Sequence, residues 1–161
     1  RSDWSRQGSQ RFELLFRPTA ASSARPLAKI ASGGELSRVM LALKSLDSGS
    51  DSPIAGHQLA ETLVFDEIDA GIGGATATVV AERLRQLASR HQLILITHLA
   101  QIAAIADRHY VVSKQDVDGQ TQTLISEVSG DARVAEIARM LSGSTDEVAL
   151  QHAQTLLKAG Q

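Results

Sequence analysis

The chain has 161 residues, of which 43% are hydrophobic and 21% charged, and its net charge at neutral pH is −2. These are the proportions of one soluble globular domain, and with only 3% aromatic residues and no basic excess they do not favour a DNA-binding surface. Cysteine is absent, which excludes disulfides and thiolate-bound zinc, and the apolar runs are too short for a bilayer, so we expect a cytoplasmic protein without a membrane span.

The first predicted elements are short. Residues 1–10 are polar, and we expect them to be frayed. Apolar residues alternate with others over Phe12–Phe16, which predicts a strand that ends at Pro18. Residues 19–26 read TAASSARP, a small and turn-rich segment that we interpret as a loop.

A helix is predicted over residues 35–46. Its apolar residues recur at helical spacing, at Leu36, Val39, Met40 and Leu43. Just before it stand Ser32, Gly33 and Gly34, and glycines at a helix start let an anion approach the free backbone N–H groups. The alternative is that Ser32 only caps the helix, with Glu35 as its capping-box partner. Both interpretations can hold together, and a lone SGGE slightly favours the cap.

A buried strand is predicted at residues 63–65, after a loop over 47–60. The apolar run Leu63, Val64, Phe65 stops abruptly at Asp66 and Glu67. Ligands of α/β sheets bind at the carboxyl ends of strands, and two adjacent carboxylates repel unless they share a cation or a proton. The alternative is an acidic turn that only caps the next helix, and this stretch alone leaves the two interpretations level.

A second strand end repeats this arrangement. A helix is predicted over 75–89 and a strand over 93–96, followed by Thr97 and His98. In a parallel sheet His98 would therefore lie at the same edge as Glu67. The other four histidines carry no such placement, and we interpret them as ordinary surface or core groups.

The rest of the chain predicts a hairpin and more helices. We expect a short apolar helix over 99–106, then a β-hairpin whose strands are 110–113 and 121–128 and whose turn is DVDG at 116–119. Two helices follow, over 133–141 and 145–158, the second capped at Ser144 or Thr145.

Three segments now stand in a fixed order: ASGGELSR at 31–38, TLVFDE at 62–67 and LILITH at 93–98. This order resembles the C-terminal lobe of an ABC-type ATPase head, with its signature motif, Walker B strand and switch histidine. Four longer segments resemble more closely the RecN family of bacterial DNA-repair proteins, which are relatives of the SMC proteins. They are RPLAKIASGGELSRVMLALK, VFDEIDAGIGG, ITHLAQIAAIAD and EIARMLSG. The resemblance covers nearly everything from Phe12 onward, and its joint pattern favours a functional acidic pair.

The resemblance implies a role for each matched residue. Asp66 corresponds to the Walker B aspartate that holds Mg²⁺ through water, and Glu67 to the catalytic glutamate that polarises the attacking water. His98 corresponds to the switch histidine at the γ-phosphate. The signature core, which in this family acts in trans on ATP held by the opposite subunit, corresponds to Ser32, Gly33 and Gly34. Arg38 falls on the arginine of the signature helix, where we expect a structural or interface role.

The sequence also departs from the ABC pattern. Ala31 replaces the leucine that usually opens the signature, and Gly73 stands where many relatives carry the D-loop aspartate. No G-x-x-x-x-G-K followed by Ser or Thr occurs, and no heptad run is present. In this family the Walker A loop lies in an N-terminal lobe beyond a coiled coil, so the resemblance implies that residues 1–161 form the C-terminal lobe of a split head.

The implied fold class is α/β, with a mostly parallel sheet flanked by helices and a β-hairpin near the C-terminus. The implied cofactors are ATP and Mg²⁺, and the implied partners are the Walker A lobe, a second head in a homodimer and, for the complete protein, DNA. A cytoplasmic, nucleoid-associated ATPase of double-strand break repair and recombination follows, inactive as the isolated chain. Two alternatives stay open: a non-catalytic docking or dimerisation module and, less well matched, the nucleotide-binding domain of a transporter.

Overall fold

The computed structural model describes residues 8, 13–17, 19–29, 32–47, 61–117 and 119–160. Its strands are β1 Leu15–Phe16, β2 Arg25–Pro26, β3 Thr62–Phe65, β4 Gln92–Leu95, β5 His109–Val117 and β6 Gln120–Val128. Its α-helices are α1 Gly33–Asp47, α2 Gly74–Ala88, α3 Ala100–Ala103, α4 Gly130–Ser142 and α5 Glu147–Ala159, with a 3₁₀ turn at Leu27–Lys29. The chain is therefore mixed α/β, as the sequence predicted.

The centre of the fold is the β3–α2–β4 unit. Its two strands pair in parallel, with Leu63 opposite Leu93 and Phe65 opposite Leu95. Helix α2 returns the chain across one face of this pair, and its residues at helical spacing, Val80, Ala81, Leu84 and Leu87, are buried against Leu41, Phe65, Ile68 and Ile102. Full burial of a side chain such as Leu84 stabilises the fold by about 1.5–3 kcal/mol.

A second core joins the last three helices. It consists mainly of alanines, which let helix backbones approach closely: Ala100, Ala103, Ala104, Ile137, Ala138, Ala149 and Ala153. Arg133 of α4 donates to the carbonyl oxygens of Ala104 at 3.1 Å and Ala106 at 2.6 Å, just after α3 ends. These bonds satisfy carbonyl groups that the short helix leaves without partners of its own. The segment that follows β4 is thereby fixed to the C-terminal helices.

Strands β5 and β6 form an antiparallel hairpin, with His109 opposite Val128 and Val117 opposite Gln120. Gly119 in its turn has a φ of +78°, a conformation that glycine adopts without strain. The predicted hairpin is confirmed, and its strands are longer than expected because the pairing continues through Asp116 and Val117 of the DVDG segment.

The prediction of a mostly parallel sheet is wrong for the described residues. They form three separate two-stranded sheets, and only β3 with β4 is parallel. Residues 110–113 pair within the predicted hairpin, which forms a sheet of its own and does not extend the β3–β4 pair. Local antiparallel pairing closes a short loop and costs less entropy than a distant crossover.

Smaller differences concern element ends. Helix α1 begins two residues before its predicted start, and α3 covers only part of the predicted 99–106 helix. The loop predicted at 19–26 contains β2, which pairs with β1. The N-cap of α5 is Asp146, whose side chain accepts from the N–H of Ala149, and not Ser144 or Thr145. Nearly all of the stretch predicted as frayed, residues 1–10, and residues 48–60 of the predicted loop lie outside the described residues.

Across the described helices, none combines the length and the apolar character that crossing a membrane requires.

Candidate active site

Asp66, Glu67 and His98 follow two neighbouring strand ends. The backbone N–H of Ile96 donates to the carbonyl of Phe65 at 3.0 Å, so the two neighbouring strands are still hydrogen-bonded where they end. Asp66 and Glu67 then follow β3, and Thr97 and His98 follow β4, at the same edge of the sheet. Both carboxylates are exposed, and the His98 side chain is 71% exposed. A ligand in solvent can therefore reach all three groups.

The loop after β3 presents its first two side chains outward and anchors the next two. Asp66 and Glu67 are exposed, whereas Ile68 and Asp69 are 0% and 2% exposed. Glu67 has a φ of +54°, in the left-handed region that a side chain of this size rarely adopts. Its carbonyl accepts from the N–H of Ala70 at 3.0 Å, which closes a tight turn. The Glu67 carboxylate is thus projected from a strained turn whose next residues are held in the core.

The start of α1 lies directly on this turn. Gly34 is buried, and a Cβ atom there would lie 2.7 Å from the Glu67 carbonyl oxygen and 2.8 Å from the Ala70 Cβ. A Cβ atom on Gly33 would lie 2.9 Å from the Glu67 Oε2. Glycine is therefore required at 34 by close approach, and the structure brings Gly33 and Gly34 together with Glu67 of the same chain.

Side chains of α1 fix this contact. Ser37 Oγ donates to the Asp66 carbonyl at 2.8 Å. The Arg38 guanidinium donates to the carbonyls of Ile68 at 3.1 Å and Ala70 at 2.8 Å. The structural role expected for Arg38 is therefore confirmed, because it binds the loop that carries the two carboxylates.

Ser32 acts as a helix cap. Its Oγ accepts from the N–H of Glu35 at 3.1 Å, which is the capping interaction predicted as one of two alternatives. Ser32 and Gly33 are also exposed, whereas Gly34 is buried. Its role towards an anion stays a prediction.

Asp69 is a residue of this site that the sequence reasoning missed. Its Oδ2 accepts from Thr97 Oγ1 at 2.5 Å, from the His98 N–H at 2.8 Å and from His98 Nδ1 at 3.0 Å. Burial alone would raise the pKa of this carboxyl, but the hydrogen bonds from Thr97 and the His98 backbone, with the charge of the imidazole, bring the pKa below its usual value. Asp69 therefore joins the end of β4 to the loop after β3. The signal was a third carboxylate in DEID, opposite a Thr-His pair at the neighbouring strand end.

The donor set limits the metal that this edge can bind. Within the described part of the chain, no three His, Cys, Asp or Glu side chains are grouped so that they could hold a metal ion. Mg²⁺ is commonly bound by one or two carboxylates, with water and substrate phosphates as its other ligands. Asp66 offers one exposed carboxylate to a metal ion. This fits a site completed by water and phosphate and does not fit a site in which the protein supplies every ligand.

Comparison with known proteins gives the relationship. No protein-family model matches the chain. It is 53% identical over 149 residues to the DNA repair protein RecN of Treponema pallidum, a match that covers 92% of the chain and 25% of the relative. The RecN protein of Deinococcus radiodurans is 51% identical over 144 residues, or 89% of the chain and 24% of the relative. The chain is homologous to part of RecN. RecN of Bacillus subtilis, at 39% identity over 153 residues, aligns with 94% of the chain and a quarter of its own length.

The predicted RecN resemblance is therefore confirmed, and the chain spans about a quarter of the length of the curated RecN proteins it matches. The name of these relatives identifies them as DNA repair proteins. ATP, Mg²⁺, the second head and the individual roles of the site residues are not part of that name, and they remain proposals for this chain.

Proposed function

We propose that the chain is the C-terminal lobe of a RecN-type ATPase head, which binds and hydrolyses ATP at a head-dimer interface during DNA double-strand break repair and recombination. One observation carries this proposal: Asp66, Glu67 and His98 are exposed together at two adjacent parallel strand ends. A polar edge of this kind is where α/β proteins bind their ligands. The homology to RecN supports a role in DNA repair. The resemblance of the ASGGELSR, TLVFDE and LILITH segments to an ABC-type ATPase head supports phosphoryl transfer.

Each exposed group then has one task. Asp66 would bind Mg²⁺ through water, and Mg²⁺ when bound neutralises charge on the phosphates. The Glu67 carboxylate would accept a hydrogen bond, and then a proton, from the attacking water. His98 would bind the γ-phosphate. Because such a transition state is stabilised mainly by positioning and charge, the isolated chain is expected to be inactive.

The second part of the proposal concerns the start of α1. Ser32, Gly33 and Gly34 would bind ATP held by the other protomer, through the hydroxyl of the exposed Ser32 and the backbone N–H groups at the start of α1. Gly34 also abuts Glu67 of its own chain. In a head dimer, the surface that binds the partner's nucleotide would thus be in direct contact with the turn that carries Glu67.

An uncovered sheet face supports a partner lobe. Leu63, Phe65, Leu93 and Leu95 pack towards the core, whereas Val64, Ile94 and Ile96 on the opposite face are 62%, 49% and 56% exposed. Parallel strands are normally covered on both faces. We assign this face to the lobe that carries the Walker A loop. DNA contacts and the nucleoid association of the complete protein would come mainly from other segments, since this chain has a net charge of −2.

The deciding experiment is Glu67→Gln in a head reconstituted from this chain and a RecN-type Walker A lobe. Losing a general base typically slows turnover about 10²–10⁴-fold, and ATP binding should persist so that head dimers accumulate. Hydrolysis is measured by phosphate release and dimerisation by sedimentation. Glu82→Gln, at an exposed position of α2, is the matched control and should turn over normally. Normal turnover in Glu67→Gln would remove Glu67 from this role.

A docking or dimerisation module without catalysis is the second candidate. The same uncovered face favours it. It predicts that the reconstituted head assembles but releases no phosphate above the background of the separate lobes.

A further inference from the structure

We propose that Asp69 is the positioning residue of this site: its buried carboxylate holds the His98 imidazole by Nδ1 and directs Nε2 outward, toward bound nucleotide. The orientation of the ring is a property of this chain alone. Its consequence for ATP hydrolysis rests on the proposed function.

The contacts of Asp69 determine which ring nitrogen carries hydrogen. One oxygen, Oδ2, accepts from the Thr97 hydroxyl, the His98 backbone N–H and His98 Nδ1. The carboxyl is charged at neutral pH because its pKa lies below the usual value, and a charged carboxylate can only accept. His98 Nδ1 must therefore be the donor, which leaves Nε2 as the ring nitrogen that can meet a ligand.

The two partners differ in burial: Asp69 lies in the core, and His98 is accessible from solvent. Asp69 is 2% exposed, so solvent does not compete for its oxygen, whereas the His98 side chain is 71% exposed. The backbone bond to His98 and the bond to Thr97 fix the carboxylate relative to the end of β4. The Thr97 Oγ1 also accepts from the N–H of Leu99 at 3.0 Å, which extends the fixed network to the start of α3.

This orientation has a chemical consequence. Phosphate oxygens accept hydrogen bonds, so a contact through Nε2 needs a hydrogen there. With the Nδ1 hydrogen held by Asp69, the ring in that contact carries both hydrogens and a positive charge. The buried carboxylate offsets this charge, as the aspartate does behind the histidine of a Ser-His-Asp triad. Asp69 itself need not touch the nucleotide.

A purely structural role is the competing explanation, in which Asp69 only connects two loops through Thr97 and the His98 backbone. That role places no demand on the imidazole. The ring tautomer of His98 therefore separates the two explanations.

The first measurement is the ¹⁵N–¹H correlation spectrum of the imidazoles in the unmodified chain, recorded at a pH high enough for the rings to be neutral. We expect His98 to carry its hydrogen on Nδ1. His152, exposed on α5, serves as an internal reference and should show the Nε2–H form that free histidine favours. A neutral His98 with its hydrogen on Nε2 would overturn the proposal without any variant being made.

The second measurement is ATP turnover of the reconstituted head carrying Asp69→Asn, which keeps the shape of the side chain and removes its charge. We expect kcat to fall about 10–100-fold with KM for ATP unchanged, by analogy with the carboxylates that orient metal-ligating histidines, whose mutation typically costs that much activity. In the His98→Ala background, Asp69→Asn should cause no further loss. Asp131→Asn, at an exposed position in α4, is the control and should leave kcat unchanged.

Independent, multiplying losses from Asp69→Asn and His98→Ala would contradict the positioning role, as would an unchanged kcat. If the unmodified head hydrolyses no ATP, the ATPase proposal fails by itself. The tautomer of His98 then still decides whether Asp69 orients the ring.

Discussion

At the scale of single residues, the site depends on how closely α1 approaches the turn after β3. Gly34 has no room for a side chain because the Glu67 carbonyl and the Ala70 Cβ lie on its inner side. Gly33, one residue earlier, faces the end of the flexible Glu67 side chain instead. The two neighbouring glycines thus have different physical reasons to be glycine.

Their difference gives a prediction. Gly34→Ala should destabilise the chain by about 1–3 kcal/mol, because the new methyl group meets backbone and a fixed Cβ that cannot move aside. Gly33→Ala is the matched comparison and should cost clearly less, since the Glu67 carboxylate can rotate away. Urea unfolding followed by circular dichroism measures both. Equal losses, or a larger loss for Gly33→Ala, would show that α1 does not contact the turn as described.

Sequence reasoning placed the exposed residues of the site better than its buried one. Asp66, Glu67 and His98 were predicted at one sheet edge because an apolar run that ends in polar residues marks a strand end, and they lie there. Asp69 was missed because its role comes from a contact across 29 positions, with His98, and no local pattern encodes that distance. The choice of Asp69 over Glu67 as the buried carboxylate depends on the turn conformation.

At the scale of elements, the long helices were predicted well and their ends less well. Helices α2 and α4 carry apolar residues at helical spacing, and this pattern predicted both helices. The N-cap of α5 was wrong because Ser144, Thr145 and Asp146 all suit that position by type. Ser144 instead donates its hydroxyl to the Asp146 carboxylate at 2.9 Å, so it supports the cap without being the cap.

The cap of α5 can be tested with two neighbours. Asp146→Ala should lower the urea midpoint of unfolding, because the Ala149 N–H loses its acceptor, whereas Thr145→Ala should have little effect. The bond from Ala149 lowers the pKa of Asp146, with a further contribution from Ser144. A lowered pKa in the folded state stabilises the fold above the ordinary carboxyl pKa, and this contribution is lost as the pH falls through the folded value.

The difference between the unmodified chain and Asp146→Ala should therefore shrink on acidification. Unfolding midpoints measured at neutral pH and in an acidic series would record it. A constant difference across the series, or a larger effect from Thr145→Ala, would assign the cap to another group.

At the scale of the whole molecule, the described sheets are small and one of their faces is open. The mostly parallel sheet was implied by the family resemblance together with two apolar strand patterns, and such patterns indicate that a strand is buried but do not identify its neighbours. Strands β3 and β4 do pair in parallel, but within the described residues no third strand joins them. Val64, Ile94 and Ile96 on the outer face of this pair are exposed, and this is the face we assign to the Walker A lobe.

Val64→Lys tests that face. In the isolated chain its effect on stability should stay within about 0.5 kcal/mol, because the side chain is 62% exposed. Binding of the Walker A lobe should weaken by about 2 kcal/mol or more, roughly 30-fold, because a charge would enter an apolar contact. Isothermal titration measures this affinity. Ile125→Lys, at a 68% exposed position of the hairpin, is the control, and equal weakening by both would argue against the assigned face.

The backbone conformation of Glu67 lowers the stability of the fold. Its φ of +54° suits glycine or asparagine far better than glutamate. Keeping a glutamate in such a conformation costs on the order of 1–3 kcal/mol. The free energy of unfolding is therefore reduced at the residue that would contact the attacking water. The packing of Ile68 and the hydrogen bonds from Arg38 hold the same turn and offset this loss.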